Sequence, residues 1–451
     1  MGKSTSLDGD GVSASDTSTF AFNPRYLLNL RKSPGVIHPR FDDLARLDAV
    51  CMPAVGVHSG KDFTENEDII INLTVTGRCY ARCEGCINSA ITFASDEPRN
   101  VTMAHLESDP ERDAALISQL ARHHPDCEVT LAFYGGEPFL AADKMEQVRL
   151  ILSGSELKKR VRYMVYTNGE LLIRALARYP TLMSNMWLYS VSIDGDKEQH
   201  RRVRPGTDLA RIITNLRKLR SDYQGNVLFW STLREQQSLL NCFNQFVELY
   251  EEGLANHFFW HWADTKEPYK DFPTYVERYG QELEEVMETY VAKVMHGEVL
   301  PIAHLNELVL YLAAGRERGH TACAVELARN YDIMGGKVYA CSDLPPSLAG
   351  CIAEGDCDYT EPDLSHLVKY KDWLRCSECG VHPYCGGRCP VQALCGSPER
   401  TFQICQLMRL HVGIVQERIV DILTGLTRNG ISLQDVYDRS AHIARYTDVV
   451  P

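Results

Sequence analysis

Three cysteines stand within eight residues of one another in the segment "CYARCEGC", with the spacing Cys79-x3-Cys83-x2-Cys86. A structural zinc site takes four thiolate or imidazole ligands, but no other Cys or His lies within ten residues on either side. Three thiolates instead suit a cubane iron–sulfur cluster in which one iron stays open to an exchangeable ligand. The spacing therefore predicts a cluster that binds a small molecule through a chelating amine and carboxylate.

The elements around these cysteines are predicted to form an α/β sheet. Six apolar runs alternate with helical patterns, and each run is apolar on both faces, as in a parallel sheet covered by helices. Either a doubly wound sheet or a partial barrel fits, and in both the cysteines follow the first strand at the edge where α/β active sites lie. The predicted strands are 68–76, 128–136, 162–169, 186–195, 226–233 and 257–264, and the main predicted helices are 111–124, 143–154, 209–222, 238–253, 274–296 and 303–314.

Composition and charge exclude several other classes of protein. The chain has 451 residues, of which 44% are hydrophobic and 24% charged, which is ordinary for a soluble globular protein. The net charge of -13, with no Lys/Arg-rich run, predicts no nucleic-acid partner. The longest apolar run, 308–314, is far shorter than the roughly 20 residues of a membrane span, so we expect a cytoplasmic protein. In that compartment sixteen cysteines indicate metal ligation, not disulfides.

Changes in amino-acid composition and in the apolar pattern divide the chain into six predicted segments. A low-complexity beginning is expected to be disordered, because it has almost nothing to bury. The α/β core is followed by a helical linker, a cysteine-rich region and a C-terminal helix with a short tail. The predicted boundaries are a tail at 1–18, an N-terminal extension at 19–66, the core at 67–265, the linker at 266–322, the cysteine-rich region at 323–405 and the C-terminal helix and tail at 406–451.

Polar or glycine-rich motifs end the second, third and fourth predicted strands. They are "YGGEP" (134–138), "YTNG" (166–169) and "SVSIDG" (190–195), and "HRRVR" (200–204) follows the last of them. Each glycine pair or Asp-Gly step taken alone is typical of an ordinary strand-end turn. Together with the cysteine loop, however, the motifs fall at the ends of four successive strands, which favours one shared site.

These motifs resemble those of the radical S-adenosylmethionine (radical SAM) enzymes, over roughly residues 68–264. The resemblance implies a partial (β/α)6 TIM-like barrel, in which the open iron of the three-cysteine cluster chelates the methionyl part of the cofactor. Members mostly carry an aromatic residue before the third cysteine, where this chain has Gly85. The cofactor-binding residues implied by the resemblance are Gly135, Gly136, Glu137, Pro138, Asn168, Ser192, Asp194 and Arg204.

The cysteines between 323 and 405 have a spacing of their own. The order Cys323, Gly336-x4-Cys341, Cys376-x2-Cys379-x5-Cys385-x3-Cys389 and Cys405 resembles the SPASM extension of radical SAM enzymes, a loop-rich domain with two auxiliary [4Fe-4S] clusters. The resemblance implies one cluster on Cys323, Cys341 and Cys389 and a second on Cys376, Cys379, Cys385 and Cys405. Two [4Fe-4S] clusters need eight ligands, and these cysteines supply seven. Either one iron of the first cluster is open, or Cys351, Cys357 or Cys395 completes its ligand set. A pair of zinc ribbons is the alternative that Cys-x2-Cys spacing allows.

The resemblance implies a reductive cleavage of S-adenosylmethionine to a 5′-deoxyadenosyl radical, which abstracts hydrogen from an unactivated carbon. Relatives with SPASM domains mostly modify peptides or proteins, so we expect a peptide or protein substrate, with flavodoxin or ferredoxin as electron donor. Asp343, two residues beyond Cys341, is the candidate general base, although a solvated surface carboxylate is the simpler account. A small-molecule substrate, such as a tetrapyrrole or sugar, and a non-catalytic iron–sulfur or zinc protein are the alternatives.

Overall fold

The computed structural model describes residues 68–87, 105–354, 359 and 361–447. The predicted tail at 1–18 and extension at 19–66 lie outside the described residues, as do Cys357 and the last four residues of the C-terminal tail. Among the described residues, no helix is long and apolar enough to cross a membrane.

A nine-stranded sheet forms the centre of the molecule, with the strand order β6-β5-β4-β3-β2-β1-β7-β8-β9. Strands β1 to β6 are parallel, β7 is parallel to β1, and β8 and β9 are antiparallel to their neighbours. The strands are β1 Asp68–Thr76, β2 Glu128–Gly135, β3 Val161–Thr167, β4 Met186–Ser192, β5 Asn226–Leu233, β6 His257–Trp262, β7 Asn330–Met334, β8 Lys337–Tyr339 and β9 Cys351–Glu354.

The strand order decides between the two predicted architectures. The first six strands are added in sequence order on one side, without the reversal that defines a doubly wound sheet. The α/β fold with a partial barrel is therefore confirmed. All nine residues of β1 are buried, which is why its sequence is a nearly continuous apolar run.

Helices connect the parallel strands and cover the sheet, and capping side chains fix where several of them begin. Asp109, Asp208, Ser238 and Ser397 each accept a hydrogen bond from a backbone N–H in the first helical turn. The helices are α1 Pro110–His123, α2 Ala142–Ser153, α3 Leu172–Arg178, α4 Pro180–Ser184, α5 Lys197–Val203, α6 Leu209–Arg220, α7 Leu239–Glu251, α8 Phe272–Met295, α9 Ala303–Ala314, α10 Pro346–Ala349, α11 Tyr370–Trp373, α12 His382–Cys385, α13 Pro390–Cys395, α14 Pro398–Arg428 and α15 Leu433–Arg439. Short 3-10 helices span Pro138–Ala141, Glu156–Lys159, Val325–Leu327, Ser365–Val368, Cys376–Glu378 and Ala441–Tyr446.

The strands β7 to β9 were not predicted from the sequence, and they extend the sheet into the cysteine-rich region. Gly335 and Gly336, with φ angles of 60° and 79°, form the two-residue connection between β7 and β8. On the adjoining strands, the Asn72 amide donates to Asp332 Oδ1 at 2.8 Å. Because β8 leads directly to Cys341, this pairing fixes the start of the cysteine-rich region against β1.

Candidate cofactor and cluster site

The Cys79 loop, residues 77–86, lies against the segment that follows α5. Two backbone hydrogen bonds hold it there, from Arg82 N to Pro205 O at 2.8 Å and from Glu84 N to Val203 O at 2.9 Å. Cys79 is exposed, and Cys83 and Cys86 are half-buried. Burial nevertheless raises the pKa of the Cys79 and Cys83 thiols.

The departure from the family pattern at Gly85 has a local conformational reason. Its φ angle is +61°, in the left-handed region that a side chain rarely adopts. An aromatic residue there would be strained. The aromatic ring that the same loop carries is that of Tyr80, whose hydroxyl donates to Asn168 Oδ1 at 2.8 Å. Tyr80 is 37% exposed.

The two glycines of the "YGGEP" motif let the end of β2 touch the start of the Cys79 loop. A Cβ on Gly135 would lie 2.2 Å from Thr76 O, and one on Gly136 would lie 2.2 Å from Arg78 O. Gly136 N donates to Thr76 O, and Glu137 N donates to Arg78 O, both at 2.9 Å. The two sequence motifs are therefore one interlocked piece of backbone.

The Glu137 side chain ties the same motif to β3. Its carboxylate is fully buried and accepts hydrogen bonds from the Thr167 hydroxyl and Asn168 N, both at 2.8 Å, and from Phe139 N at 3.2 Å. Burial raises the pKa of Glu137 to about 7, although the three donors favour its charged form. Pro138 begins the short helix that follows, with its side chain buried.

Asn168 has a buried amide group pointing into this junction. Its Oδ1 accepts from Tyr80 and, at 3.1 Å, from Glu170 N. Its Nδ2 finds no hydrogen-bond partner within the described part of the chain, although the residue is only 6% exposed. A buried donor in this state is costly unless a ligand accepts from it.

Asp194 is the centre of a buried ion-pair network. Its Oδ2 accepts from Arg204 Nε at 2.6 Å and from Arg234 Nη1 at 2.8 Å, while its Oδ1 accepts from Thr232 N at 2.8 Å. Although burial alone would raise it, these arginines hold the pKa of Asp194 well below its usual range. The carboxylate of Asp194 is thus already bound by protein groups.

Arg204 and Arg234 also contact the Cys79 loop, so the ion-pair network extends to it. Arg204 Nη1 lies 3.8 Å from Cys83 Sγ, and Arg234 Nε donates to Glu84 O. Arg234 was missed by the sequence analysis, although its position directly after β5 corresponds to the positions of the other motifs after their strands. Its role depends on Asp194, 40 residues earlier, and no local spacing shows that pairing.

A row of half-buried rings crosses the concave face of the sheet next to these groups. The ring centroids are 5.6 Å apart for Tyr134 and Tyr166, 5.7 Å for Tyr166 and Trp230, and 5.6 Å for Trp230 and His261. Ser192, also half-buried, stands opposite Trp230 in the register of β4 and β5. The neighbouring strand residues are buried, so these half-buried rings, called the aromatic row below, mark a less covered part of this sheet face. Trp230 and His261 were not among the predicted site residues.

In the cysteine-rich region, four cysteines line one small cavity between α12, α14 and the turns around them. They are Cys376, Cys379, Cys385 and Cys405, and the other walls are largely apolar. Burial raises the pKa of the Cys376 thiol, and the nearness of the other three thiols raises it further. Arg409 Nη2 lies 3.8 Å from Cys379 Sγ.

A second group contains Cys323, Cys341 and Cys389. Burial is the main reason that the pKa of the Cys341 thiol is raised, and the other two thiols and Asp343 raise it further, so these groups are close together. The loop carrying Cys389 is bound to the end of β6 through an ion pair of 3.3 Å between Arg388 and Asp264. The remaining described cysteines of this region are Cys351, which is exposed on β9, and Cys395, which is buried at the end of α13.

The thiol groups fit the ligand sets that iron–sulfur clusters require. Four cysteines are the usual ligands of a [4Fe-4S] cluster, and they are also a ligand set of structural zinc. Among the described residues, no three His, Cys, Asp or Glu side chains stand close enough together to hold a single metal ion. The thiols instead form three looser groups, at the Cys79 loop and at two places in the cysteine-rich region.

Comparisons with known proteins identify the core of the chain. Residues 73–230 match the family model described as the Radical SAM superfamily. This match runs from β1 into β5 and covers about a third of the chain. No curated protein matches the sequence.

Solved structures of anSMEcpe share the fold of this chain. The structure of native anSMEcpe with bound AdoMet is 16% identical and has a TM-score of 0.62, covering 79% of this chain and 99% of that chain. The structure of native anSMEcpe with bound AdoMet and Cp18Cys peptide is 17% identical, with a TM-score of 0.59 and the same coverage. Streptococcus suis SuiB bound to precursor peptide SuiA is 15% identical, with a TM-score of 0.48, covering 81% and 82%.

Proposed function

We propose that this protein is a radical SAM enzyme that modifies a peptide or protein side chain, with a SPASM-type cysteine-rich region that holds two auxiliary clusters. One observation carries the proposal: the Cys79 loop, the glycine pair after β2 and the Asp194 ion-pair network meet at the carboxyl ends of neighbouring parallel strands. This is the edge at which α/β enzymes place their reacting groups.

In this proposal Cys79, Cys83 and Cys86 hold a [4Fe-4S] cluster through three thiolates. With the cluster and S-adenosylmethionine bound, the site supplies a 5′-deoxyadenosyl radical for hydrogen abstraction. Arg204 lies 3.8 Å from Cys83 Sγ, so its charge stabilises the thiolate form of that ligand. The two backbone hydrogen bonds from residues 82 and 84 keep the loop in place for the three sulfurs to converge.

The remaining motif residues have distinct roles in this proposal. Asn168 Nδ2, the buried donor without a partner among the described residues, donates to the cofactor. Gly135 and Gly136 bring the backbone close enough for their carbonyls to accept from the cofactor ammonium. Asp194 acts as a positioning residue, because its carboxylate is bound by Arg204 and Arg234 and is fully buried.

The aromatic row on the concave face is the proposed place for the substrate side chain. Its aromatic rings and Ser192 exclude water while leaving a few polar groups for orientation. His261 accepts or donates through Nε2 to the Thr232 hydroxyl at 2.9 Å, and burial lowers its pKa to about 3, so it orients substrate as a neutral ring.

Support for a peptide substrate comes from the shared fold of anSMEcpe, which has been solved with a bound peptide. Asp343 remains the proposed proton acceptor, since its carboxylate is near Cys341 at the proposed first auxiliary cluster. Electrons would come from flavodoxin or ferredoxin. A peptide encoded by a short gene next to this one is the first substrate to test, and an unchanged peptide mass after incubation would count against the substrate assignment alone.

The radical SAM part of the proposal is tested by anaerobic reconstitution, iron and sulfide analysis, and an assay for 5′-deoxyadenosine after dithionite reduction. We expect about twelve irons per chain from three [4Fe-4S] clusters. The variant Cys79→Ala/Cys83→Ala/Cys86→Ala should lose about four irons and all deoxyadenosine formation. Cys127→Ala, which alters a cysteine outside the three thiol groups, is the control and should keep both. Zinc in place of iron, or no cleavage by the wild type, would overturn the proposal.

A further inference from the structure

A large cavity lies at the opposite end of the sheet from the Cys79 loop. It has a volume of about 620 Å³. Its walls include Arg162 and Trp187, the second residues of β3 and β4, so it opens at the amino ends of the parallel strands. Segments around 316–329 and 437–446 form the other walls. The proposed function makes no use of this cavity.

The cavity is basic although the chain as a whole is acidic. Five arginines line it, against two glutamates, Glu307 and Glu317, while the net charge of the chain is -13. Since most acidic residues of the chain lie elsewhere, the arginines are a local concentration of positive charge. The five arginines are Arg162, Arg316, Arg318, Arg329 and Arg445.

Shared carboxylates hold four of these arginines without cancelling their charge. At one side, Asp68 accepts from Arg162 at 3.0 Å and from Arg445 at 2.7 Å, and its side chain is fully buried. One carboxylate between two guanidinium groups leaves a net charge of about +1 at this side of the cavity.

The same arrangement recurs at the other side. Glu307 pairs with both Arg316 and Arg318, and the side chains of the two arginines are 15% and 6% exposed. Arg329, by contrast, forms no side-chain hydrogen bond or ion pair within the part of the chain that the structure describes. Counting all lining groups and Asp68, five positive charges face three negative ones.

From this arrangement we propose that the cavity binds a small multivalent oxyanion, of the pyrophosphate or tricarboxylate class. Guanidinium groups bind phosphate and carboxylate through two parallel hydrogen bonds, and arginines already held by shared carboxylates lose little freedom when they do so. The volume falls within the range of small-molecule sites. The anion is recognised by its charge and oxygen geometry, which a free metabolite or an acidic stretch of peptide can supply.

The test uses the full-length, reconstituted protein and isothermal titration calorimetry with three probes: inorganic pyrophosphate, citrate and a hexaglutamate peptide. We expect at least one probe to bind, with affinity falling as salt is raised. Arg329→Gln should weaken that binding about tenfold, the loss expected for one charge-assisted hydrogen bond. Arg217→Gln is the matched control, since Arg217 is 56% exposed on α6, and it should bind as the wild type does.

The outcomes separate the sources of the anion. Tighter binding of pyrophosphate or citrate indicates a free small molecule, and tighter binding of hexaglutamate indicates an acidic peptide, and both support the site. If no probe binds, or if Arg329→Gln binds as tightly as Arg217→Gln, the proposal is wrong. Thermal unfolding of each variant without anion confirms that the fold is intact. A negative result leaves the radical SAM proposal untouched, because deoxyadenosine formation is measured separately.

Discussion

The Cys79 loop and the four-cysteine cavity of the cysteine-rich region hold thiols by different means. The loop is fixed by backbone hydrogen bonds to the end of β2 and to the residues at and after the end of α5, and its first cysteine is exposed. The four-cysteine cavity is enclosed by helices, and Leu374, Val381, Phe402 and Met408 contribute apolar walls. In the proposed enzyme, the first arrangement leaves room for an exchangeable ligand, whereas the second supplies all four thiolates of a cluster that needs no further ligand.

One feature is common to both regions: an arginine nitrogen lies 3.8 Å from a cysteine sulfur, Arg204 beside Cys83 and Arg409 beside Cys379. The surroundings of the two arginines differ, because Arg204 is bound to the buried carboxylate of Asp194. In the proposed enzyme, the open site binds cofactor and the enclosed site transfers electrons. We therefore expect that substitutions in one region change iron content and deoxyadenosine formation differently from substitutions in the other.

The largest expected effect separates the two regions directly. Cys376→Ala/Cys379→Ala removes two of the four thiols of the enclosed cavity, so iron should fall from about twelve to about eight per chain. Dithionite-driven deoxyadenosine formation should persist, because the Cys79 loop is unaltered. Iron analysis and the deoxyadenosine assay measure both, with Cys127→Ala as control. Loss of deoxyadenosine as complete as in the variant without the Cys79 loop thiols would contradict the independence of the regions.

The next effect concerns the ion-pair network that supports only the open site. Asp194→Ala leaves Arg204 and Arg234 buried without their carboxylate, which should lower the free energy of unfolding by about 3–5 kcal/mol. Because the native pKa of Asp194 is depressed, this stabilisation is present above its ordinary pKa of 3.8 and is lost as the pH falls further. Urea unfolding at neutral pH measures the difference.

The control for that experiment is Asp222→Ala, which removes an exposed carboxylate just after α6 and should change the free energy of unfolding by at most about 0.5 kcal/mol. Equal losses in the two variants would show that the network contributes nothing particular to the open site.

The smallest effect is electrostatic and concerns the enclosed site. Arg409→Gln removes a positive charge near Cys379 Sγ, which should lower the reduction potential of the proposed cluster there by about 40–60 mV, equivalent to roughly 1 kcal/mol. Arg418→Gln on the same helix, with a 37% exposed side chain, is the matched control. Redox titration followed by electron paramagnetic resonance distinguishes them, and an unchanged potential in Arg409→Gln would mean that the short distance has no electrostatic consequence.

The sequence predicted the six parallel strands well because each contains a nearly continuous apolar run that is mostly buried. The predicted strand 68–76 coincides with β1, and the predicted 162–169 differs from Val161–Thr167 by only one or two residues at its ends. Where the apolar run stops, the motif residues begin, so the same pattern also located the Cys79 loop and "YGGEP". A buried strand and the motif that follows it can both be recognised within one short segment of sequence.

Long-range pairings were not visible in that way. The Gly335-Gly336 step between apolar residues is a hairpin signal that the sequence analysis did not use. Even with it, the parallel pairing of β7 with β1 depends on residues as far apart as Asn72 and Asp332, which are 260 positions apart. The basic cavity likewise combines arginines from four separate segments, and Arg234 acquires its role only when it meets Asp194.

Because β1 pairs with β7, this part of the sheet can form only after both strands have been synthesised. Asn72 leaves the ribosome 260 residues before its partner Asp332 does, a delay of roughly 10 to 50 s at a synthesis rate of about 5–20 residues per second. Throughout that time, the apolar strand that leads to the Cys79 loop has one unpaired edge. Such edges recruit strands from other chains, so the nascent protein needs protection until its C-terminal third has emerged.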